Sequence, residues 1–476
     1  IKLVMLRLLN HRNTIILYSI LIFFLSSYFI FLNFFNESGY WFDEWCTLLS
    51  SDPNVGLKII NERHVGNFEK PHENVPIIYY LVLRFYFTIF GYTAENGRIF
   101  SLIFLVLSSI TFFSLLLFFI QKKESLFATS IFFSTPLILW MSNETRVDMF
   151  VVFFVLLDIV IFFLVLKLNR LDLKILLLIT NFITLSIYPL TLSIVGSQIL
   201  FLITQKYLNK SKINLTLNFV ILSIILYFIF NYDYFIERSL NRDYHFAKLY
   251  LNFFILYFFN VFFGSVFFGS IFFLIFIFFL ISKNKKIMMD QILLFCIISI
   301  LTTYLMVVIS SLFVTPIAAA RYIIFIVPII LIFILKSVSD FKYKIFFYLF
   351  LFLLASANLI TNYDKRHIKK PHTVQALNII EKYSVNNILA LPTSTLYQNY
   401  ISTVSKIKHY NLFLSFEQIN KEKINKFAVL CLYKPRFAGV DETHNFEYCN
   451  QNYMGFKDFE EIEIPDYKIR IFKSKK

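Results

Sequence analysis

NETRVDMFVVFFVLLDIVIFFLVLKLNR, residues 143–170, opens on two acids and an arginine (Glu144, Arg146, Asp148) and runs through an apolar stretch broken by Asp158 before closing on Lys167 and Arg170. A helix crosses a bilayer core with about 20 apolar residues, because inside hydrocarbon the backbone must satisfy its own hydrogen bonds. Residues 147–166 have that length and composition. The stretch therefore reads as one membrane span with acid and arginine at one end and bare cations at the other.

The same ruler applies along the whole chain. Apolar runs at 14–35, 96–120, 125–141, 147–166, 173–187, 190–205, 214–231, 251–281, 288–313, 322–336 and 343–361 predict about eleven transmembrane helices. Hydrophobic residues make up 58% of the chain and charged residues 16%, with a mean hydropathy of +0.67, whereas soluble domains are about a quarter charged. A soluble globular enzyme is excluded, and an all-α polytopic membrane protein is expected. The run at 14–35 is too long for a signal-peptide core and no small-residue cleavage pattern follows it, so it reads as an uncleaved first span. The 62 phenylalanines match an AT-rich coding bias and carry no functional weight.

Lysine and arginine set the orientation. They cluster at Lys2, Arg7 and Arg12 and then in alternate short loops: Lys122 and Lys123; Lys167, Arg170 and Lys174; Lys206, Lys210 and Lys212; Lys283, Lys285 and Lys286; Lys336, Lys342 and Lys344. By the positive-inside rule these loops face the cytoplasm. The excess of 45 Lys+Arg over 30 Asp+Glu then reflects membrane topology and not a nucleic-acid surface. An odd number of spans puts residues 36–95, the 232–250 loop and the tail from 362 on the outer face. Segment 76–90 is apolar but interrupted by Arg84, and it reads as a juxtamembrane helix lying in the interface, as the 232–250 loop does in part. The expected organisation is a membrane domain over 1–361, with 36–95 as its first outer loop, and a small extracytoplasmic α/β domain over 362–476. Strands are expected at 387–391, 427–433 and 467–472. Under this topology Cys431 and Cys449 lie in an oxidising compartment where they are able to pair.

Ionisable residues gather at the outer ends of spans: Asp43 and Glu44, His72 and Glu73, Arg98, Glu144, Arg146, Asp148 and Arg321. Charge beside a bilayer is costly and is by default a functional-site hypothesis. Plainer readings stand beside it. Asp43 and Glu44, flanked by Tyr40, Trp41 and Trp45, also suit the solvated end of a span. Thr145 and Asp148 also suit a capping box, and Arg84 and Arg98 also suit snorkelling to headgroups. His72 is too isolated to read as a metal ligand. For Arg146 and Arg321 capping explains nothing, since a cation at a helix N-terminus opposes the dipole. Paired arginines beside carboxylates at headgroup depth suit a phosphate-bearing substrate, whose oxygens match the guanidinium fork.

The ordered set FDEW (42–45), HENVPIIYYLVLRFYFTIFGYTAENGRIFS (72–101), NETRVDMF (143–150) and PIAAARYIIFIVP (316–328) resembles the GT-C fold glycosyltransferases related to protein O-mannosyltransferases and lipid A aminoarabinose transferases. The resemblance spans about 14–361. It implies that Asp43 is the active-site carboxylate with Glu44 beside it, and that Arg146 and Arg321 with Tyr322 form the lipid-phosphate side. His72, Arg98 and Glu144 join them as substrate-binding candidates. Two departures are visible: His72-Glu73-Asn74-Val75-Pro76 stands where the family often has His-Pro-Pro, and Asp148-Met149 stands where it has tyrosine.

The expected activity is inverting transfer of a sugar from a polyprenyl-phosphate donor to a glycan, lipid or protein acceptor on the outer face of a bacterial plasma membrane. The sequence points to no particular cofactor, and a divalent cation beside Asp43 and Glu44 is compatible with the pair although no ligand cluster demands one. The alternative is a transporter or flippase of lipid-linked sugars, which would want charges near the bilayer midplane and broken helices in paired halves.

Overall fold

The computed structural model describes residues 42–54, 76–209, 214–231, 290–313, 320–339, 373–389, 410–413, 415–432, 452–464 and 467–474, with a few single positions between 253 and 281. The chain divides into two compact units: Ile1–Ile30, Asn74–Val82 and Arg98–Tyr363 in the first, Phe31–Glu73, Leu83–Gly97 and Asp364–Lys476 in the second.

Up to residue 339 the described elements are helical: α1 (Phe42–Ser50), α2 (Ile77–Phe90), α3 (Ala94–Leu116), α4 (Lys122–Ser134), α5 (Pro136–Ser142), α6 (Asp148–Leu168), α7 (Leu171–Ile187), α8 (Leu192–Asn209), α9 (Asn214–Phe230), α10 (Gln291–Phe313) and α11 (Val327–Val338). A 3-10 segment, Ala320–Ile326, leads into α11. Within the first unit α6 is largely enclosed. It is buried from Asp148 to Val165 along most of its surface and packs against α5, α7 and the 3-10 segment. It stops at Asn169, whose φ of 47° is a left-handed cap that asparagine tolerates better than most residues and whose N–H donates to the Val165 carbonyl. The expected span at 125–141 is instead a broken pair, α4 and α5 meeting at 60°. Pro136 is the cause: it lacks an N–H and clashes with the preceding turn, and it is well placed as the first residue of a new helix.

α3, α6, α10 and the 321–338 stretch are each long and apolar enough to cross a membrane alone. The outward surface of the neighbouring helices is equally greasy. Ile175 and Ile179 on α7, Ile221 and Ile225 on α9, and Leu301 and Leu305 on α10 are exposed at four-residue spacing. A soluble bundle puts polar residues on such stripes, so they face lipid, and the chain is an integral membrane protein. The expected spans at 14–35, 251–281 and 343–361, the 232–250 loop and His72 lie wholly or largely outside the described residues.

The interior of the first unit is joined by hydrogen bonds as well as by packing. The fully buried Asp158, halfway along α6, accepts from Gln198 Nε2 at 2.5 Å and Thr180 Oγ1 at 3.1 Å. With its amide nitrogen turned toward Asp158, Asn181 donates to both carboxylate oxygens at 2.8 Å. Hydroxyls continue the seam from α8 to α10, through Ser197 and Ser299 at 2.9 Å and Thr303 to Ser193 at 3.0 Å. At one end of the bundle Lys336 donates to the Phe119 carbonyl at 3.1 Å and pairs with Asp290 at 3.6 Å, while Lys167 lies over the Phe118 ring. The basic loop residues and the cluster around Asp148 thus occupy opposite ends of α6.

In the second unit the C-terminal residues build a five-stranded sheet of order β2-β1-β3-β5-β4, from β1 (Asn387–Leu389), β2 (Asn411–Phe413), β3 (Lys426–Leu432), β4 (Phe456–Ile464) and β5 (Tyr467–Ser474). β1 runs parallel to both β2 and β3, while β5 is antiparallel to β3 and β4. Helix α12 (Thr373–Lys382) packs on β5, and α13 (Phe416–Lys421) contributes Ile419 to a core with Phe427, Val429, Tyr453 and Phe472. Phe427 and Phe472, registered partners on β3 and β5, stack at 5.3 Å. Cys431 is disulfide-bonded, whereas Cys46 and Cys296 are not; Cys449 lies outside the described residues.

Replacing Asp158 with leucine strands the Gln198 and Asn181 donors in the bundle interior and should cost about 1–2 kcal/mol. Thermal unfolding in detergent should show a lower Tm for Asp158→Leu than for Asp158→Asn, which keeps one acceptor oxygen. Equal Tm values would show that the seam adds no stability.

Candidate active site

In the first unit the expected residues collect around a turn. α5 ends at Ser142 and α6 begins at Asp148, so Asn143–Val147 must reverse the chain within five residues. The Arg146 N–H donates to the Glu144 carbonyl at 2.8 Å, and that carbonyl also accepts from Ser101 Oγ on α3 at 2.7 Å. Glu144 is 1% exposed and Thr145 fully buried. The N-cap of α6 is Val147 and no side chain caps it, so the capping-box reading of Thr145 and Asp148 does not hold. Asp148 is the first helical residue.

The Asp148 carboxylate lies 3.6 Å from Arg146 Nε and within electrostatic reach of Arg321 and Glu144. Arg321 arrives on the 3-10 segment, which packs on α5 and α6 and bends at Ile323. Its guanidinium lies 5.1 Å from the Tyr322 ring centroid and donates to Tyr322 Oη at 3.3 Å. Two arginines and two carboxylates from positions 144–148 and 321 are therefore assembled at the end of α6 away from the lysines. Arg98 is 3% exposed, which rules out snorkelling to headgroups.

Asn143 is a residue that sequence reasoning missed. It is 1% exposed, and both its amide nitrogen and its amide oxygen lack a hydrogen-bond partner, as does Asp148 Oδ2. An asparagine after a helix reads as an ordinary C-terminal cap, so only burial reveals the anomaly.

The acidic pair belongs to the second unit. α1 begins at FDEW, which puts Asp43 and Glu44 in its first turn, where the helix dipole favours negative charge. Glu44 is fully buried and Asp43 partly exposed. Thr47 Oγ1 donates to the Asp43 carbonyl at 2.9 Å. At the other end of α1 Tyr92 Oη donates to the Leu48 carbonyl at 2.9 Å, and Arg84 donates to the carbonyls of Asp52 and Pro53 at 2.7 and 3.1 Å. Arg84 therefore binds backbone, and the headgroup reading gives way to this one. Among the described residues no three His, Cys, Asp or Glu side chains converge as a metal site.

Lipid-facing apolar stripes, a span broken at Pro136 and a charged cluster at one end of the bundle, with a small mixed sheet in the C-terminal residues, define a polytopic membrane protein. No family model matches the sequence, and no curated protein sequence does. Among solved structures, ArnT from Cupriavidus metallidurans bound to undecaprenyl phosphate superposes with a TM-score of 0.50 at 10% identity, covering 82% of this chain and 75% of that one. The same protein in the apo state gives 0.50 at 9% identity with the same coverage. At such identity the likeness concerns the fold, which is GT-C.

Asn143→Ala removes an amide that has no partner in the folded chain, so it should leave stability unchanged or raise it by about 1 kcal/mol despite the small cavity created. Thermal unfolding in detergent measures this. A marked loss of Tm would mean that the amide is satisfied within the folded protein.

Proposed function

We propose that this chain is an integral membrane glycosyltransferase that moves one sugar from a polyprenyl-phosphate donor to a glycan, lipid or protein acceptor on the extracytoplasmic face. The observation that carries the reading is the charged set Glu144, Arg146, Asp148 and Arg321 at one end of a GT-C bundle, in a fold shared with a protein crystallised with undecaprenyl phosphate.

In this reading Arg146 and Arg321 hold the lipid phosphate, Tyr322 orients Arg321, and His72, Arg98 and Glu144 contribute to substrate binding. Asp43 takes the proton from the acceptor hydroxyl as that oxygen attacks the anomeric carbon. The carbon–oxygen bond to phosphate breaks, and polyprenyl phosphate leaves with its new negative charge opposed by the arginines. Glu44 supports Asp43. The step inverts the anomeric centre and needs neither a covalent nucleophile nor an organic cofactor, and a divalent cation beside Asp43 and Glu44 would add only counter-charge. Residues 1–361 form the catalytic membrane domain and 362–476 an extracytoplasmic domain, in a bacterial plasma membrane with the N-terminus cytoplasmic.

The flippase alternative is less well supported. The mid-span carboxylate, Asp158, has its oxygens engaged by neutral donors from α7 and α8, which suits helix packing better than a moving site.

Purified protein in lipid, given labelled sugars on undecaprenyl phosphate with membrane extract as acceptor, should transfer label. Asp43→Asn should reduce turnover about 10²–10⁴-fold while leaving the protein monodisperse. Arg321→Ala should chiefly weaken donor binding. Turnover by Asp43→Asn at the wild-type rate would sink the base assignment. Leaflet exchange of labelled donor in sealed vesicles, without transfer, would favour the flippase.

A further inference from the structure

A nine-residue helix has little stability of its own, because the cost of nucleation is spread over few hydrogen bonds. Its last carbonyls also need partners from outside. α1 receives both kinds of help from one neighbouring stretch. Tyr92 Oη meets the Leu48 carbonyl in the last turn, and just beyond the helix the two terminal nitrogens of Arg84 take the carbonyls of Asp52 and Pro53. The Arg84 cation lies at the negative end of the α1 dipole, and its planar fork bridges two consecutive carbonyls, which a lysine cannot do.

The two donors are themselves braced. Gly91 adopts φ +94° at the end of α2, and Asn96 Nδ2 ties the turn by donating to the carbonyls of Phe90 and Gly91 at 2.7 and 3.0 Å. The Tyr92 ring packs edge-on against Phe87 at 5.2 Å, which fixes the direction of its hydroxyl. Leu48, Leu49 and Ser51 are buried beside the clamp. Asp43 lies little more than one helical turn from Leu48, so a tilt or fraying of the clamped end is transmitted to the acids at the other end.

We propose that Arg84 and Tyr92 are positioning residues that clamp the C-terminal end of α1 and thereby fix Asp43 and Glu44 for transfer. This inference rests on the assignment of Asp43 as base for its kinetic test alone, because α1 carries its own structural reporter. Cys46, one turn after Asp43, is a cysteine outside any disulfide and only 8% exposed.

The experiment uses full-length protein in detergent or lipid with the variants Arg84→Met, Arg84→Lys and Tyr92→Phe. Maleimide labelling at Cys46, read by mass spectrometry, should accelerate about tenfold in Arg84→Met and several-fold in Tyr92→Phe, the order expected when one or two hydrogen bonds of about 1 kcal/mol each are lost. Arg84→Lys, which keeps the charge but cannot bridge two carbonyls, should fall between wild type and Arg84→Met. With an undecaprenyl-phosphate sugar that wild type uses, kcat should fall in the same order while KM for the donor stays constant. Unchanged Cys46 labelling in all three variants would overturn the clamp. So would a raised donor KM at constant kcat, which would make Arg84 a headgroup or phosphate contact. If Arg84→Met does not fold, Tyr92→Phe and Arg84→Lys carry the test unaided. If wild type transfers no sugar, the proposed function fails, and the labelling rates still decide the clamp.

Discussion

Charge enters the rim of this bundle only because it arrives in compensating groups. Glu144, Arg146 and Asp148 come from one tight turn and Arg321 from a distant 3-10 segment, and the two cations and two anions offset one another where the surroundings cannot solvate them. Several features of the first unit follow from this requirement. Pro136 breaks the helical segment and starts α5, which delivers the turn to its place. Ser101 on α3 pins the Glu144 carbonyl, and the bend at Ile323 brings Arg321 in beside α6. An isolated member of the set would be expensive there. Together they form a polar cluster at one end of α6.

The same accounting of polar groups extends through the interior. Asp158 is tolerated at the middle of α6 because α7 and α8 each offer it neutral donors. Lys336 is tolerated because a helix-end carbonyl and Asp290 receive it. The Asn143 amide, next to the charge cluster, makes no hydrogen bond, as is true of several buried hydroxyls elsewhere in the bundle, Thr184 and Ser186 among them.

Much of the architecture was legible in the one-dimensional pattern. Apolar length marked α3, α6, α9 and α10 to within a few residues, and the alternating lysines separated the two ends of the bundle. Three of the five C-terminal strands were visible as short apolar runs. β2 escaped because three residues carry no period, and β4 because FKDFEEIEI is rich in acid, as befits an edge strand that pairs only with β5. The capping-box reading of Thr145 and Asp148 failed because helix start signals are local, whereas the start of α6 is set by how the turn seats against α3.

Composition and spacing alone determined that this chain lives in a membrane and where most of its spans begin and end, because hydrophobic length and charge placement are properties of the chain taken in order. The tertiary structure decided what each polar residue meets. It made Arg84 a clamp on backbone carbonyls, removed Arg98 from the surface, brought Arg321 within electrostatic reach of Asp148 and left the Asn143 amide unpaired. Those outcomes depend on which segments come into contact across long stretches of sequence. A hydrogen bond or ion pair exists only once two such segments are packed together, so no local pattern encodes it.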